Sequence, residues 1–327
     1  MSKQPRRFLA GRRPTPPATG AAIGAATGAE ADPGGWIMPR RKSLLRGLRP
    51  IAKLLLVLPW TALCALLQAL ALVLPGRARV VVPKLYWGGM CAILGLQTRF
   101  AGAIAQPTRD GRPVVYVSNH SSWLDILVLG GKLDACFTAK QEVGTWPLIG
   151  TIARLGRTVY IRRQRASTGR ERDDMRARLA DGDNLILFPE GTTSDGARVL
   201  PFRSAFLSIA ELPVTADGKP PIVQPVSIVY DRLAGLPTGR ATRPIFAWYG
   251  DMDIASHYWQ LAQYRGMRAS VLMHAPLDPR DFTDRKALSQ AVWRAAADGA
   301  ATLRQNRPAS PATAGTPANP AASPALA

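Results

Sequence analysis

Two short stretches carry residue types whose spacing could do proton-transfer chemistry. The first is Asn119-His120-Ser121-Ser122-Trp123-Leu124-Asp125. An imidazole hydrogen-bonded to a carboxylate is held in one tautomer, so its other nitrogen can take a proton from a hydroxyl while the carboxylate stabilises the cation that forms. On a regular helix a spacing of five puts two side chains about 140° apart. His120 and Asp125 can therefore meet if His120 ends a loop and Asp125 sits in the first helical turn, with Ser122 as N-cap. The same residues allow a plainer reading, in which Asp125 is a capping-box acid three positions after Ser122 and His120 is a satisfied loop histidine. Asn119-x-Ser121 also spells a glycosylation sequon, discounted because it lies inside this tight turn.

The second stretch is Phe188-Pro189-Glu190-Gly191-Thr192-Thr193-Ser194-Asp195-Gly196, followed by Arg203. A glycine-rich turn offers backbone N–H groups, and with a carboxylate beside them it suits a polar, anionic ligand. An ordinary glycine-rich turn explains either half of this segment better than it explains the whole.

Both stretches follow short apolar runs, which is the arrangement a sheet needs to hold loop chemistry at one edge. Val114–Val117, Ala135–Thr138, Thr158–Ile161, Leu185–Phe188, Ile222–Tyr230, Ile245–Tyr249 and Ser270–His274 read as strands. Trp123–Leu129, Thr168–Leu179, Phe202–Glu211, Ile254–Tyr264 and Arg285–Leu303 read as helices. Their alternation predicts an α/β domain, a mixed sheet flanked by helices.

Ahead of this domain, Leu54–Leu74 is an uncharged apolar run of 21 residues, long enough for a bilayer core. Arg40, Arg41, Lys42, Arg46, Arg49 and Lys53 precede it, and Arg77, Arg79 and Lys84 follow. This near-symmetric flanking blunts the positive-inside rule. Leu85–Leu96, with Tyr86, Trp87, Gly88 and Gly89, suits a short interfacial segment. The expectation is an N-terminal membrane-anchoring helix or helix pair, either spanning or re-entrant. A buried core helix and an uncleaved signal are the alternatives; the distance from the N-terminus and the lack of a good cleavage site disfavour a signal peptide. The chain divides into a disordered tail (1–35), the anchor (36–100), the main domain (101–305) and a second Pro/Ala-rich tail (306–327).

The formal charge of +20, from 42 basic and 22 acidic residues, implies attraction to polyanions, whether nucleic acid, anionic lipid or phosphorylated substrate. No RNA-recognition signature or heptad-bearing basic helix supports a nucleic-acid partner. Cys64, Cys91 and Cys136 are scattered, so neither a disulfide framework nor a metal site is indicated. No Gly-x-Ser-x-Gly elbow points to a serine hydrolase.

With these residues in view, the chain resembles the glycerophospholipid acyltransferase family, of the lysophosphatidic-acid acyltransferase type. Asn119, His120 and Asp125 match its Asn-His-x4-Asp motif, and Phe188–Thr192 its Phe-Pro-Glu-Gly-Thr motif. Gly156-Arg157-Thr158-Val159-Tyr160-Ile161-Arg162 matches the glycine-to-arginine strand, with Ile161 where an acid is frequent, and Ile222-Val223-Gln224-Pro225-Val226 matches the proline-centred strand. All four stand in family order.

The resemblance implies that His120, oriented by Asp125, activates an acceptor hydroxyl for direct attack on a thioester. It implies that Glu190, Gly191 and Thr192 hold the acceptor, and that Lys140, Arg162 and Arg203 are candidates for its phosphate. Solvated surface cations are the competing reading for these three. The implied acceptor is 1-acyl-sn-glycerol 3-phosphate, with lyso-ornithine lipid or another lysolipid as the alternative. Acyl-CoA or acyl carrier protein is the implied co-substrate, with no resident cofactor or metal. The implied place is the cytoplasmic face of the inner membrane.

Overall fold

The computed structural model describes residues 44–161 and 169–307. Arg162 and most of both tails lie outside them. The chain opens with two packed helices, α1 (Leu44–Val73) and α2 (Ala78–Leu94). The sheet then begins with β1 (Leu96–Ala101) and β2 (Val114–Ser118). It starts a few residues before the domain boundary expected at residue 100. After β2 come α3 (Leu124–Gly130), β3 (Ala135–Lys140), α4 (Ile149–Leu155), β4 (Val159–Ile161), α5 (Gly169–Ala180) and β5 (Asn184–Leu187). The long β6 (Ile222–Leu233), the short β7 (Leu236–Pro237), α6 (Ile254–Ala262), β8 (Met267–Met273) and α7 (Arg285–Arg304) complete the series.

The strand order is β1-β8-β6-β2-β5-β3-β4, with β7 paired to β6. Neighbours run parallel except β6 with β8 and β6 with β7, so the sheet is mixed, as expected. The central strands β2 and β5 are buried along their whole length. That is why they read as continuous apolar runs rather than alternating ones.

Parallel order sets the site. The C-terminal ends of β2, β5, β3 and β4 lie along one edge of the sheet, where ligands of open α/β sheets bind. His120 follows β2, Glu190 follows β5, Lys140 ends β3 opposite Ile161, and Arg162 is the residue after Ile161.

Helix α1 contains a 27-residue segment, Gly47–Val73, long and apolar enough to cross a membrane, and its most apolar window is only 17% buried. Leu55, Leu66 and Val73 are 66%, 70% and 77% exposed; a soluble core helix would hide them. The helix does not leave the domain, however. Near its start Lys53 donates to the carbonyls of Leu94 (2.6 Å) and Tyr264 (3.0 Å), and near its end Gln68 donates to Leu155 O (2.9 Å). Fifteen residues of helix span about 22 Å, so α1 lies along the main domain over that length.

Helix α2 bridges α1 to the site. A Cβ on Gly89 would lie 2.4 Å from the Trp60 ring, and one on Gly131 would lie 2.9 Å from Gly88 N. The glycines read as interfacial composition are thus close-packing points. They seat the end of α3, the helix carrying Asp125, on the anchor.

Three expectations are corrected. Ile245–Tyr249 is not a strand: a 3-10 turn covers Arg243–Ile245, and Phe246 is buried because it stacks on Tyr230 at 4.9 Å. The Phe202–Glu211 helix is a run of 3-10 turns over Ser204–Glu211. The polar β1, with Gln97, Thr98 and Arg99 exposed on an edge strand, has no counterpart among the expected strands and begins where the Leu85–Leu96 run ends. Helix α4 and the 3-10 segment Gln141–Thr145 carry no periodic apolar face long enough to read.

Candidate active site

His120 and Asp125 meet as the helix geometry required. His120 sits in the turn after β2, and its Nδ1 lies 2.8 Å from Asp125 Oδ2. Asp125 is in the first turn of α3 and fully buried. Four donors converge on it: Oδ2 also accepts from the backbone N–H of Ser121 (2.8 Å) and Ser122 (3.0 Å), and Oδ1 accepts from the Tyr230 hydroxyl (2.6 Å). The pairing reading therefore holds. The N-cap of α3 is Trp123 rather than Ser122 and carries no side-chain cap, but the bond from Ser122 N–H still holds the carboxylate that fixes the imidazole. Burial and the adjacent carboxylate keep the Tyr230 phenol well above its usual pKa, so it stays a donor.

The imidazole stacks on Phe188 with ring centroids 4.1 Å apart. Its side chain is 18% exposed while its partner is sealed. With Nδ1 engaged by Asp125, Nε2 is the nitrogen available to a substrate hydroxyl.

The two motifs, 70 residues apart, interlock through the backbone of His120. Its N–H donates to Glu190 Oε1 (2.8 Å), and its carbonyl accepts from Ser194 N–H (2.9 Å). The residue before, Asn119, both donates to and accepts from the Ile228 backbone of β6, at 3.0 and 2.8 Å. The residue after, Ser121, offers its carbonyl to Trp248 N–H at 2.9 Å. Trp123 donates to His257 Nδ1 (2.9 Å), whose Nε2 donates to Ile245 O (3.0 Å). Burial holds the His257 pKa below its usual value, consistent with this neutral, doubly bonded ring.

Glu190, expected to hold the acceptor, is 2% exposed and turned inward. Its second oxygen accepts from Leu200 N–H at 3.1 Å. Burial pushes its pKa up to about 8, against the pull of the two amide donors. Its folded pKa exceeds its ordinary value of 4.5, so the folded state binds more protons between these limits. This group's contribution to stability then falls as pH rises from about 4.5 to about 8. We expect Glu190→Gln to lower the melting temperature at pH 5, by weakening one of two amide bonds, yet to melt with a flatter pH dependence up to pH 8. Parallel melting curves of parent and variant across that range check it; equal slopes would refute the buried-acid assignment.

The other candidates separate. Gly191 has φ +68°, a conformation that favours glycine. Its N–H is engaged by Phe188 O at 3.2 Å, closing the turn. The next two amides, of Thr192 and Thr193, make no hydrogen bond among the described residues. Arg203 is exposed, with its guanidinium carbon 3.7 Å from where a Cβ on Gly191 would stand, so the structure brings it to the turn. Lys140 is half-buried at the end of β3. Arg157, from the same motif as Arg162, is buried and paired with Asp183 (Nη1 to Oδ1, 2.9 Å), a structural role. Tyr230 and Phe188 as partners of the His–Asp pair were not expected; only the register of β6 on β2 reveals the first.

A family model described as Acyltransferase matches residues 100–229, spanning both motifs. A lyso-ornithine lipid O-acyltransferase of Rhizobium meliloti is 36% identical over 69% of this chain and 76% of its own. The chain belongs to the acyltransferase family. A 1-acyl-sn-glycerol-3-phosphate acyltransferase of Neisseria gonorrhoeae is 28% identical over 62% of this acyltransferase and 77% of its own length. The crystal structure of the 1-acyl-sn-glycerophosphate acyltransferase from Thermotoga maritima shares the fold, with a TM-score of 0.57 at 22% identity, over 82% of this chain and 98% of that one.

Proposed function

We propose that this acyltransferase moves a fatty-acyl chain from a thioester donor, acyl-CoA or acyl carrier protein, to the free hydroxyl of a lysolipid, and that lyso-ornithine lipid is its preferred acceptor. The observation that carries the chemistry is the His120–Asp125 pair, open at Nε2 and without a serine nucleophile in its hydrogen-bond network. His120 Nε2 takes the acceptor hydroxyl proton as the oxygen attacks the thioester carbonyl. The C–O bond forms, the C–S bond breaks, and the imidazolium returns the proton to the departing thiolate. The Thr192 and Thr193 amides are suited to stabilise the intermediate oxyanion. Glu190 acts as a brace on the His120 backbone, and Arg203, with Arg162 and Lys140, meets the anionic group of the acceptor, the carboxylate of an ornithine headgroup or the phosphate of a glycerophosphate one.

The choice of acceptor rests on the 36% identity to the lyso-ornithine enzyme against 28% to the glycerophosphate enzyme. Assays of purified protein with both acceptors and both donor types decide it. Faster turnover of lyso-ornithine lipid is the expected result, and faster turnover of 1-acyl-sn-glycerol 3-phosphate would reverse the assignment. No transfer in any combination would sink the reading. Arg203→Ala should raise the acceptor KM roughly tenfold or more, since one charge-assisted contact contributes about 1.5–3 kcal/mol; lysine should restore part of it.

We infer that α1 and α2 lie in the cytoplasmic leaflet of the inner membrane as a helix pair, because α1 is apolar outward yet docked on the domain near both ends. Basic residues at an anionic leaflet each contribute on the order of 1 kcal/mol. Single cysteines introduced near Arg40 and Arg79 should both be protected from an external thiol reagent in sealed right-side-out vesicles. Labelling of just one would mean a crossing helix.

A further inference from the structure

Beside the catalytic turn, and separate from Arg203, lies a small pocket partly open to solvent, lined by Asn119, Ser121, Gly196, Tyr230, Arg243 and Arg304 among others. Asn119 and Ser121 flank His120 in the chain, so the pocket wall is continuous with the catalytic turn, while the His120 ring itself is not part of the lining. Its two cations come from distant parts of the chain. Arg243 begins the 3-10 turn that replaced the expected strand, and Arg304 is the last residue of α7. Both are half-buried.

Their partners do not balance them. Arg243 Nη2 donates to the Arg304 carbonyl at 2.7 Å, which couples the two residues but supplies no negative charge. The Nε of each is buried without a hydrogen-bond partner, and the Arg304 guanidinium makes no hydrogen bond or ion pair among the described residues. Glu190 and Asp195 are the carboxylates whose fields reach Arg304, yet among the described residues neither pairs with it. Glu190 is held largely neutral below pH 8 by its burial. Asp195 is exposed and accepts from Ala197 N–H at 2.9 Å. The negative end of the α7 dipole favours a cation there, but offers nothing to a buried Nε. Two adjacent, partly desolvated guanidiniums without a counter-charge disfavour the empty site and reward an anion that bridges them.

We propose that this pocket is an oxyanion subsite, in which Arg304 and Arg243 hold a phosphate or carboxylate of one substrate alongside the 119–121 backbone. The inference rests on the acyl-transfer reading. Two sources offer that chemistry: the phosphate on the pantetheine arm shared by coenzyme A and acyl carrier protein, and the anionic headgroup of the acceptor.

The test uses the full-length enzyme and its Arg304→Gln variant, with inorganic phosphate as binding probe and each substrate's KM as readout. Phosphate should raise the melting temperature of the parent, and that rise should vanish in the variant. The variant should raise one substrate's KM about 10- to 100-fold with kcat changed far less, and Arg304→Lys should recover part of it. A rise for both acyl-CoA and acyl carrier protein assigns the donor phosphate, whereas a rise for the lysolipid assigns the headgroup. Unchanged KM values in a folded Arg304→Gln enzyme would overturn the proposal. Should that variant not fold, no phosphate stabilisation of the parent together with unchanged KM values in Arg304→Lys would overturn it equally. If the parent acylates no lysolipid, the functional reading fails, while the phosphate shift and its loss in the variant still decide the subsite.

Discussion

His120→Ala is expected to lower kcat/KM for acyl transfer by about 10³- to 10⁴-fold while leaving the protein folded and membrane-bound. Positioned general bases contribute about 10²- to 10⁴-fold, and here the same ring also returns the proton to the leaving thiolate, which places the loss at the upper end. Stability should hold because the side chain is partly open to solvent, and because Asp125 keeps three of its four donors, Ser121 N–H, Ser122 N–H and the Tyr230 hydroxyl. The packing lost is one face of Phe188. Steady-state kinetics with a melting curve on the same preparation checks both halves. Turnover within tenfold of the parent would remove His120 from the mechanism, and a collapsed melting transition would make it a structural histidine.

Much of this site was legible because its determinants are local. Five residues from loop to first helical turn are enough to bring His120 to Asp125, and the apolar runs before both motifs mark strands buried on both faces. What was not legible depends on pairing between distant segments. Tyr230 reaches Asp125 because β6 lies beside β2 in parallel register, with Val117 opposite Pro225. Glu190 read as a substrate ligand because its motif is polar and glycine-rich; only closure of the loop against His120 turns the carboxylate inward. Gly88 and Gly89 read as membrane-interface composition, and their tight contacts with Trp60 and Gly131 appear only once α1, α2 and α3 pack together. Edge strand β1 escaped notice for a related reason: its pairing with β8, not its own apolarity, makes it a strand.

Asp125→Asn should lower kcat by about 10³-fold, less than loss of the imidazole, and the hydrogen-bond pattern explains why. Three N–H donors, from His120, Ser121 and Ser122, point at Oδ2 alone, whereas Oδ1 faces a hydroxyl. An asparagine would therefore settle with its carbonyl oxygen at the Oδ2 position and its NH2 toward Tyr230, whose hydroxyl can accept. The His120 Nδ1–H tautomer survives, and the missing element is the charge that stabilises the imidazolium. At about 4 Å between charge centres and an effective dielectric near 20, that attraction is about 4 kcal/mol, or about a thousandfold in rate. Asp125→Ala removes the acceptor of four donors and should destabilise the turn itself. The double variant His120→Ala/Asp125→Asn should be no slower than His120→Ala, since a carboxylate that acts through the imidazole has nothing left to act on. A further large loss in the double variant, measured beside both singles, would show that Asp125 contributes to turnover by a route other than His120.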